Sequence, residues 1–223
     1  EGNISRSPGV TASGLVASGG VLSDYTVGSD IFRAHVFTST DSFNVTSIGP
    51  LGSDIDYLVV AGGGGGGKEG GGGGAGGVRS SHPDTPSPAR GTALSVTAGT
   101  NYTVTIGAGG AGVFLCPTGG SPAGTDGNGS HFGPGSPIPI NTAGGGGGGS
   151  KRTNFTGTEV PTGNRYGRAG GSSGGAGRDT GSSSAVQPAN SPPFPGQLGN
   201  VGGQSTTTGS TSSGGGGGAG GAG

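Results

Sequence analysis

An apolar strand that runs directly into glycine is the feature that most constrains this chain. Residues 57–61 read Tyr-Leu-Val-Val-Ala, and six glycines, Lys68, Glu69 and a second glycine-rich run up to residue 77 follow. Residues without side chains bury almost no apolar area, and fixing a glycine costs more backbone entropy than fixing any other residue. This region therefore cannot be an ordinary core of packed side chains.

The glycine content alone is typical of a low-complexity or disordered chain. The 223 residues include 62 Gly and 15 Pro without a collagen period. However, the glycine blocks alternate with strand-like apolar segments, and the net charge is only −1. Disordered chains usually carry a high net charge. We therefore interpret the glycine blocks as ordered.

Ordered glycine runs are expected in the polyproline II geometry, which has three residues per turn and no internal hydrogen bonds. The backbone groups then need partners in neighbouring runs, and only glycine lets the backbones approach closely. A net hydrogen bond contributes about 1 kcal/mol against roughly 1–2 kcal/mol of backbone entropy per residue, so several runs must pack together. We predict an all-β chain with polyglycine-II helices, in which an N-terminal β-sheet seats a bundle of glycine helices joined by surface loops, with almost no α-helix.

Composition divides the chain into three parts. Residues 1–30 are small and polar and are expected to be a linker or lead-in segment. Residues 31–106 are predicted to be a β-rich part that includes the first glycine block. Residues 107–223 are predicted to form the polyglycine-II bundle with its loops.

The β-rich part contains two predicted hairpins. Residues 31–38 and 42–48 alternate apolar and polar residues around a short polar turn, which places Phe32 on the face opposite Arg33 and His35. A second hairpin is predicted over residues 92–106, with its turn at 98–101. The continuous apolar run at 57–60 predicts a strand that is covered on both faces.

Several function classes find no support in the sequence. No window of eighteen apolar residues predicts a membrane span, and no basic cluster beyond Lys151 and Arg152 predicts nucleic-acid binding. Cys116 is the single cysteine, so one chain cannot build a disulfide or a thiolate metal site. We expect no catalysis, because no nucleophile-elbow motif or other catalytic set is present.

Two motifs suggest ligand sites, and a simpler interpretation is favoured for each. Lys68 follows glycines as in a phosphate-binding loop, but Glu69 replaces the required Ser or Thr, so a solvated bend between two glycine helices is predicted. Residues 126–130 have the alternating oxygen ligands of a calcium loop but lack its Glu, so a turn is predicted. No cofactor and no metal are expected.

Four motifs occur in order along the chain. They are Phe-Thr-Ser-Thr-Asp-Ser-Phe-Asn-Val at 37–45, Tyr-Leu-Val-Val-Ala with six glycines at 57–67, Tyr-Thr-Val-Thr-Ile-Gly-Ala-Gly-Gly at 102–110, and Gly-Ser-His-Phe-Gly at 129–133. This set resembles the glycine-rich domain of phage and marine-virus tail-fibre and other virion structural proteins. The resemblance implies a virion appendage with polyglycine helices as scaffold, and variable loops as receptor-binding tips in the adhesin members.

A second family is similar in general plan. In the extracellular glycine-rich region of anaplastic lymphoma kinase type receptors an apolar strand also runs into glycine blocks, and that region is a ligand-binding platform. Its members are richer in cysteine and tryptophan, whereas this chain has one Cys and no Trp.

The strongest candidate for a recognition site is the insert at residues 150–168. It concentrates cationic and aromatic residues in a chain that is otherwise poor in both, and such residues on a loop of a rigid scaffold are typical of binding sites. They are Lys151, Arg152, Phe155, Arg165, Tyr166 and Arg168. The alternative is that they cap glycine helices and contact a neighbouring subunit. A second candidate loop spans residues 188–198 and contains Phe194.

The sequence therefore favours a non-catalytic virion surface or tail-fibre structural protein, located on the virion or outside the cell. Its expected partners are copies of itself in a homotrimer, other virion proteins, and a glycan or protein of the host cell surface. One alternative is a self-assembling extracellular filament or matrix protein. Another is the glycine-rich ligand-binding region of a cell-surface receptor.

Overall fold

The computed structural model describes residues 14–114, 122–133, 140–151, 162–178, 199–205 and 212–219. Within these ranges it contains eleven strands and one helical turn, α1 (Thr162–Arg165). The prediction of a mostly β chain with almost no helix is confirmed. The strands are β1 (Val16–Ser18), β2 (Val21–Val27), β3 (Asp30–Val36), β4 (Asp41–Ser47), β5 (Asp54–Ile55), β6 (Leu58–Val60), β7 (Val78–Ser80), β8 (Leu94–Ser95), β9 (Thr100–Thr105), β10 (Ser130–Phe132) and β11 (Ile140–Thr142).

The apolar core lies against an antiparallel five-stranded sheet with the order β1-β4-β9-β10-β11. Alternate residues of β4 and β9 point inward, as the period of two in a strand requires. The ring of Tyr102 stacks on that of Phe132 at a centroid distance of 5.6 Å. The buried cluster consists of Phe43, Val45, Val96, Tyr102, Val104, Phe132 and Ile140.

Neither predicted hairpin forms. β3 pairs with β2 rather than with β4, through a tight turn in which Gly28 has φ of 62°. A left-handed residue suits such a turn, and glycine adopts it without strain. β8 pairs with β5, while β9 pairs with β4 and β10. The local patterns identified strands correctly, but long-range packing chose their partners.

Two further expectations differ from the structure. β6 is not covered on both faces, since Leu58 and Val60 keep 67% and 51% of their surface exposed. Its other face contributes Val59, which packs against the buried cluster, so β6 is covered on one face. Residues 16–27, expected within the lead-in segment, form β1 and β2.

The strands continue into extended glycine segments that lie side by side. We number these segments I to IX in chain order. They are I (61–68), II (70–77), III (107–113), IV (122–129), V (143–151), VI (165–169), VII (171–178), VIII (199–205) and IX (212–219). Segment V exchanges backbone hydrogen bonds with I, II, IV, VI and VII. A glycine segment in the middle of the array thus has neighbours on every side.

The hydrogen bonds of segment I repeat every third residue. The amides of Ala61, Gly64 and Gly67 donate to segment II at 2.8–3.0 Å. The residue after each of these donates to segment IV and accepts from segment V, and the carbonyls of Gly63 and Gly66, one residue further on, accept from segment III. Segment I is therefore hydrogen-bonded to four neighbours without a conventional sheet ladder.

Close approach explains why these positions are glycine. A Cβ atom built at Gly148 would overlap the carbonyl oxygen of Gly71, and one at Gly146 would overlap that of Arg168. In contrast, a Cβ at Gly63 would meet nothing closer than 3.5 Å. The array therefore tolerates a side chain only where no neighbouring backbone lies against that position, whether exposed, as at Gly63, or buried, as at Ser172 and Ala176.

Candidate functional site

The glycine array has one end at the β-sheet and one end away from it, which we call the distal end. The distal end is marked by Lys68, Pro122 and Lys151, because the Lys68 amide donates to the Pro122 carbonyl at 3.3 Å and the Lys151 amide donates to the Lys68 carbonyl at 3.4 Å. The Ser150 amide donates to the carbonyl of Asn164 at 2.7 Å, which brings α1 to the same end.

The turn from segment I to segment II lies at this end. Glu69 adopts φ of 45°, the left-handed region, and its neighbour Gly70 opens segment II. The predicted bend is present, but the prediction that it is solvated is wrong for Lys68. Lys68 keeps only 8% of its surface exposed, because segments IV and V pack against it.

Glu69 is the centre of a small ion cluster. The ammonium Nζ of Lys151 lies 2.9 Å from Glu69 Oε2, and Nη2 of Arg178 lies 3.9 Å from the same oxygen. Lys151 is 8% exposed, so the carboxylate compensates a buried charge. The hydrogen bond from Lys151, supported by the charges of Arg178 and Lys68, lowers the pKa of the Glu69 carboxyl below its ordinary value of 4.5.

A second ion pair lies one hydrogen-bond period closer to the sheet. Nη2 of Arg168 lies 2.9 Å from Asp126 Oδ2, while Asp126 Oδ1 accepts the amide of Gly147 at 2.9 Å. The predicted turn at 126–130 is wrong, because Asp126 lies in the extended segment IV and Ser130 begins β10. The carboxylate crosslinks segments IV, V and VI.

A family comparison fits this architecture. The model of the glycine-rich domain matches residues 38–223. The chain belongs to the glycine-rich domain family. Neither a curated protein nor a solved structure matches the chain. The family match covers β4 and all the glycine segments, and it leaves β1, β2 and β3 outside.

The structure brings together part of the predicted recognition set of the glycine-rich domain. Lys151 and Arg165 both lie at the distal end, where the Gly177 amide donates to the Arg165 carbonyl at 2.8 Å. Tyr166 is half-buried, and Arg168 is exposed but held by Asp126 away from that end. The predicted residues Arg152 and Phe155, and the second loop with Phe194, lie outside the described residues.

Sequence reasoning missed the acidic partners of these cations. Glu69 and Lys151 are 82 residues apart, and Asp126 and Arg168 are 42 apart in the numbering. The available signal was an isolated charge within a glycine-rich run, because such a residue must reach a partner or solvent. Arg178, which follows segment VII, fits the same signal.

The described ranges of the glycine-rich domain contain no group of three His, Cys, Asp or Glu placed to hold a metal ion. His35 is a core-facing strand residue whose ring meets Phe43 edge-on at 5.0 Å. Among these same ranges, no helix has the length and apolar character that a bilayer span needs.

Proposed function

We propose that the glycine segments are polyglycine-II helices and that they form the rigid scaffold of a non-catalytic virion surface or tail-fibre protein. The period of three in the backbone hydrogen bonds supports the helix proposal, since polyproline II geometry has three residues per turn. Membership of the glycine-rich domain family agrees with a scaffold role. In this proposal the protein acts on the virion or outside the cell, and its partners are other virion proteins and two copies of itself in a homotrimer.

The observation that carries a host-binding role is the direction in which the chain leaves the array. Residues 114, 151 and 205 lie at or next to the distal end, as do residues 122, 162 and 212, where the described chain resumes. The chain stretches 115–121, 152–161 and 206–211 are therefore all anchored at the end away from the sheet. Such an arrangement displays several inserts together on one rigid support, which is how many binding proteins present their loops.

The partner is a glycan or protein of the host cell surface, and the insert at 150–168 contacts it. Arg165 and Tyr166 flank the stretch that holds Arg152 and Phe155, and Lys151 precedes it. Arginine and aromatic residues dominate the energetics of most protein interfaces. The ion cluster at Glu69 fixes the base of this insert through Lys151.

Competition for adsorption tests this proposal. Purified protein is added to host cells before the virus particles, and wild-type protein is expected to reduce particle adsorption. Arg165→Ala and Tyr166→Ala are expected to weaken the competition several-fold, whereas Arg90→Ala, an exposed arginine near the sheet, leaves it unchanged. Equal competition by all variants would contradict a role for the insert.

Immunogold electron microscopy tests the location separately. Antibodies against the purified chain are expected to label the surface of particles at their appendages. Labelling confined to open-ended extracellular fibres would instead support the filament alternative.

A further inference from the structure

The hairpin formed by β2 and β3 exposes an unusually apolar surface. Among the residues that the structure describes, seven of the fourteen exposed large hydrophobic residues lie in the hairpin of β2 and β3. Cross-strand partners share a face in an antiparallel pair, so the register assigns each side chain to one of two faces. The first face, here named the apolar face, consists of Val21, Ser23, Tyr25, Val27, Phe32, Ala34 and Val36, with Asp30 at its tip.

The opposite face of the hairpin is more polar and is attached to the body of the protein. Asp24 and Arg33 form a salt bridge of 2.7 Å on that face. His35, also on that face, reaches Gly19 O with its Nδ1 at 2.8 Å and packs on Phe43. The hairpin is therefore anchored by its polar face, and its apolar face points away from those contacts.

Nothing in the described part of the chain covers the apolar face. Tyr25 stacks on Phe32 with ring centroids 5.5 Å apart, yet these side chains keep 52% and 44% of their surface exposed. Val27 is 59% exposed. Among the described strands, β2 and β3 pair only with each other, and an isolated two-stranded hairpin is marginally stable in water. The hairpin also lies outside the residues that the glycine-rich domain model matches.

We infer that the apolar face packs against the same face of another copy of this chain. The face carries no charge except Asp30 at its tip, so two such faces can meet without burying like charges. Contacts between copies of one patch around a closed symmetry axis are the usual basis of homo-oligomers, and such a patch can serve a dimer or the proposed homotrimer. Neutrality also argues against a nucleic acid or a charged membrane surface as the occupant.

The exposed area of the apolar face is that of a small interface. Five large residues of the face keep about half of their surface exposed, which gives an exposed area on the order of 400–500 Å² in one copy. They are Val21, Tyr25, Val27, Phe32 and Val36. Two copies would then bury about 800–1,000 Å², slightly less than the roughly 1,200 Å² of small specific interfaces. An interface of this size is typical of weak, transient contacts, so association is expected to depend on protein concentration.

Sedimentation equilibrium of the purified full chain, from low to high micromolar concentration, tests this inference. The wild-type protein is expected to shift from monomer to a closed oligomer. Val27→Lys places a charge on the apolar face and is expected to raise the apparent dissociation constant at least about tenfold. Ile31→Lys is the matched control, because Ile31 is 76% exposed near the same tip but lies on the opposite face. This control is expected to associate like the wild type.

Far-UV circular dichroism and the melting temperature verify that each variant is folded. If Val27→Lys fails this check, Val27→Thr keeps the shape of the side chain and is expected to weaken association several-fold. A wild-type chain that stays monomeric throughout, or equal effects of the two lysine variants, would overturn the inference. Because the measurement uses no host cell, it is independent of the adsorption test: self-association without competition would leave this inference intact and sink only the host-binding proposal.

Discussion

The sheet region and the glycine array solve the problem of burial in opposite ways. In the sheet, Phe43, Tyr102 and Phe132 fill the space between backbones with apolar side chains. In the array, the backbones themselves touch, and amides and carbonyls of neighbouring segments satisfy one another. The two regions are therefore damaged by opposite changes. The sheet suffers when a side chain is removed, and the array suffers when one is added.

The largest expected effect comes from emptying the sheet core. Phe43→Ala removes a side chain that is 4% exposed and is expected to lower the free energy of unfolding by about 3–5 kcal/mol. Phe114→Ala is the matched control, because Phe114 is 89% exposed, and its effect is expected to be within about 0.5 kcal/mol. Urea denaturation measures both. Equal losses would show that the buried cluster is not the core of the sheet region.

Adding a methyl group tests the array. Gly148→Ala is expected to cost roughly 1–3 kcal/mol or more, because the new Cβ overlaps the backbone of segment II and neither backbone can yield without breaking its hydrogen bonds. Gly63→Ala is the control, since its Cβ stays 3.5 Å from the nearest atom. The same denaturation assay compares the two. If both substitutions were equally tolerated, the close packing of the segments would be refuted.

The heat capacity of unfolding compares the two regions in one experiment. Exposing apolar surface raises the heat capacity, whereas exposing polar backbone lowers it. Much of the buried surface in this chain is backbone. Its heat-capacity change on unfolding is therefore expected to lie below the usual value of about 12–15 cal/mol/K per residue. Differential scanning calorimetry at several pH values provides the number. A value within or above that range would mean that side-chain burial dominates throughout.

The smallest expected effect concerns the ion cluster at the distal end. The folded-state pKa of Glu69 is lowered, so its stabilising contribution is complete above the ordinary value of 4.5 and is lost as the pH falls through the lower folded value. Glu69→Gln is therefore expected to destabilise by about 1 kcal/mol or less at neutral pH, because the group is partly exposed. The difference from the wild type should vanish in acid. Thermal melts of both proteins from neutral to acid pH measure it, and a difference that grew in acid would contradict the assignment.

Local patterns in the sequence predicted what depends on neighbouring residues. The β class, the near absence of helix and the division of faces between Phe32 and Arg33 all follow from composition and a period of two. The bend at Lys68 and Glu69 follows from an interruption of the glycine run.

The rest depends on distant contacts that local patterns do not encode. β3 and β4 have equally strand-like sequences and are joined by a short turn. Nevertheless β3 pairs with β2, whereas β4 pairs with β9 and buries Phe43 in the core. At the distal end, the sequence predicts Lys151 as a candidate binding residue, but its contact with Glu69 requires that segments I and V lie side by side. The order of residues along the chain does not show which distant segments are neighbours.

The repeat of three in the backbone hydrogen bonds has a consequence for how such a chain can change over generations. An insertion of one residue within segment I would direct every later amide of that segment at the wrong neighbour. A change of three residues would restore the directions. A length change between two segments, at the distal end, would leave the hydrogen bonds within each segment in phase. The protein thereby separates a part in which almost no length change is permitted from a part that is free to vary.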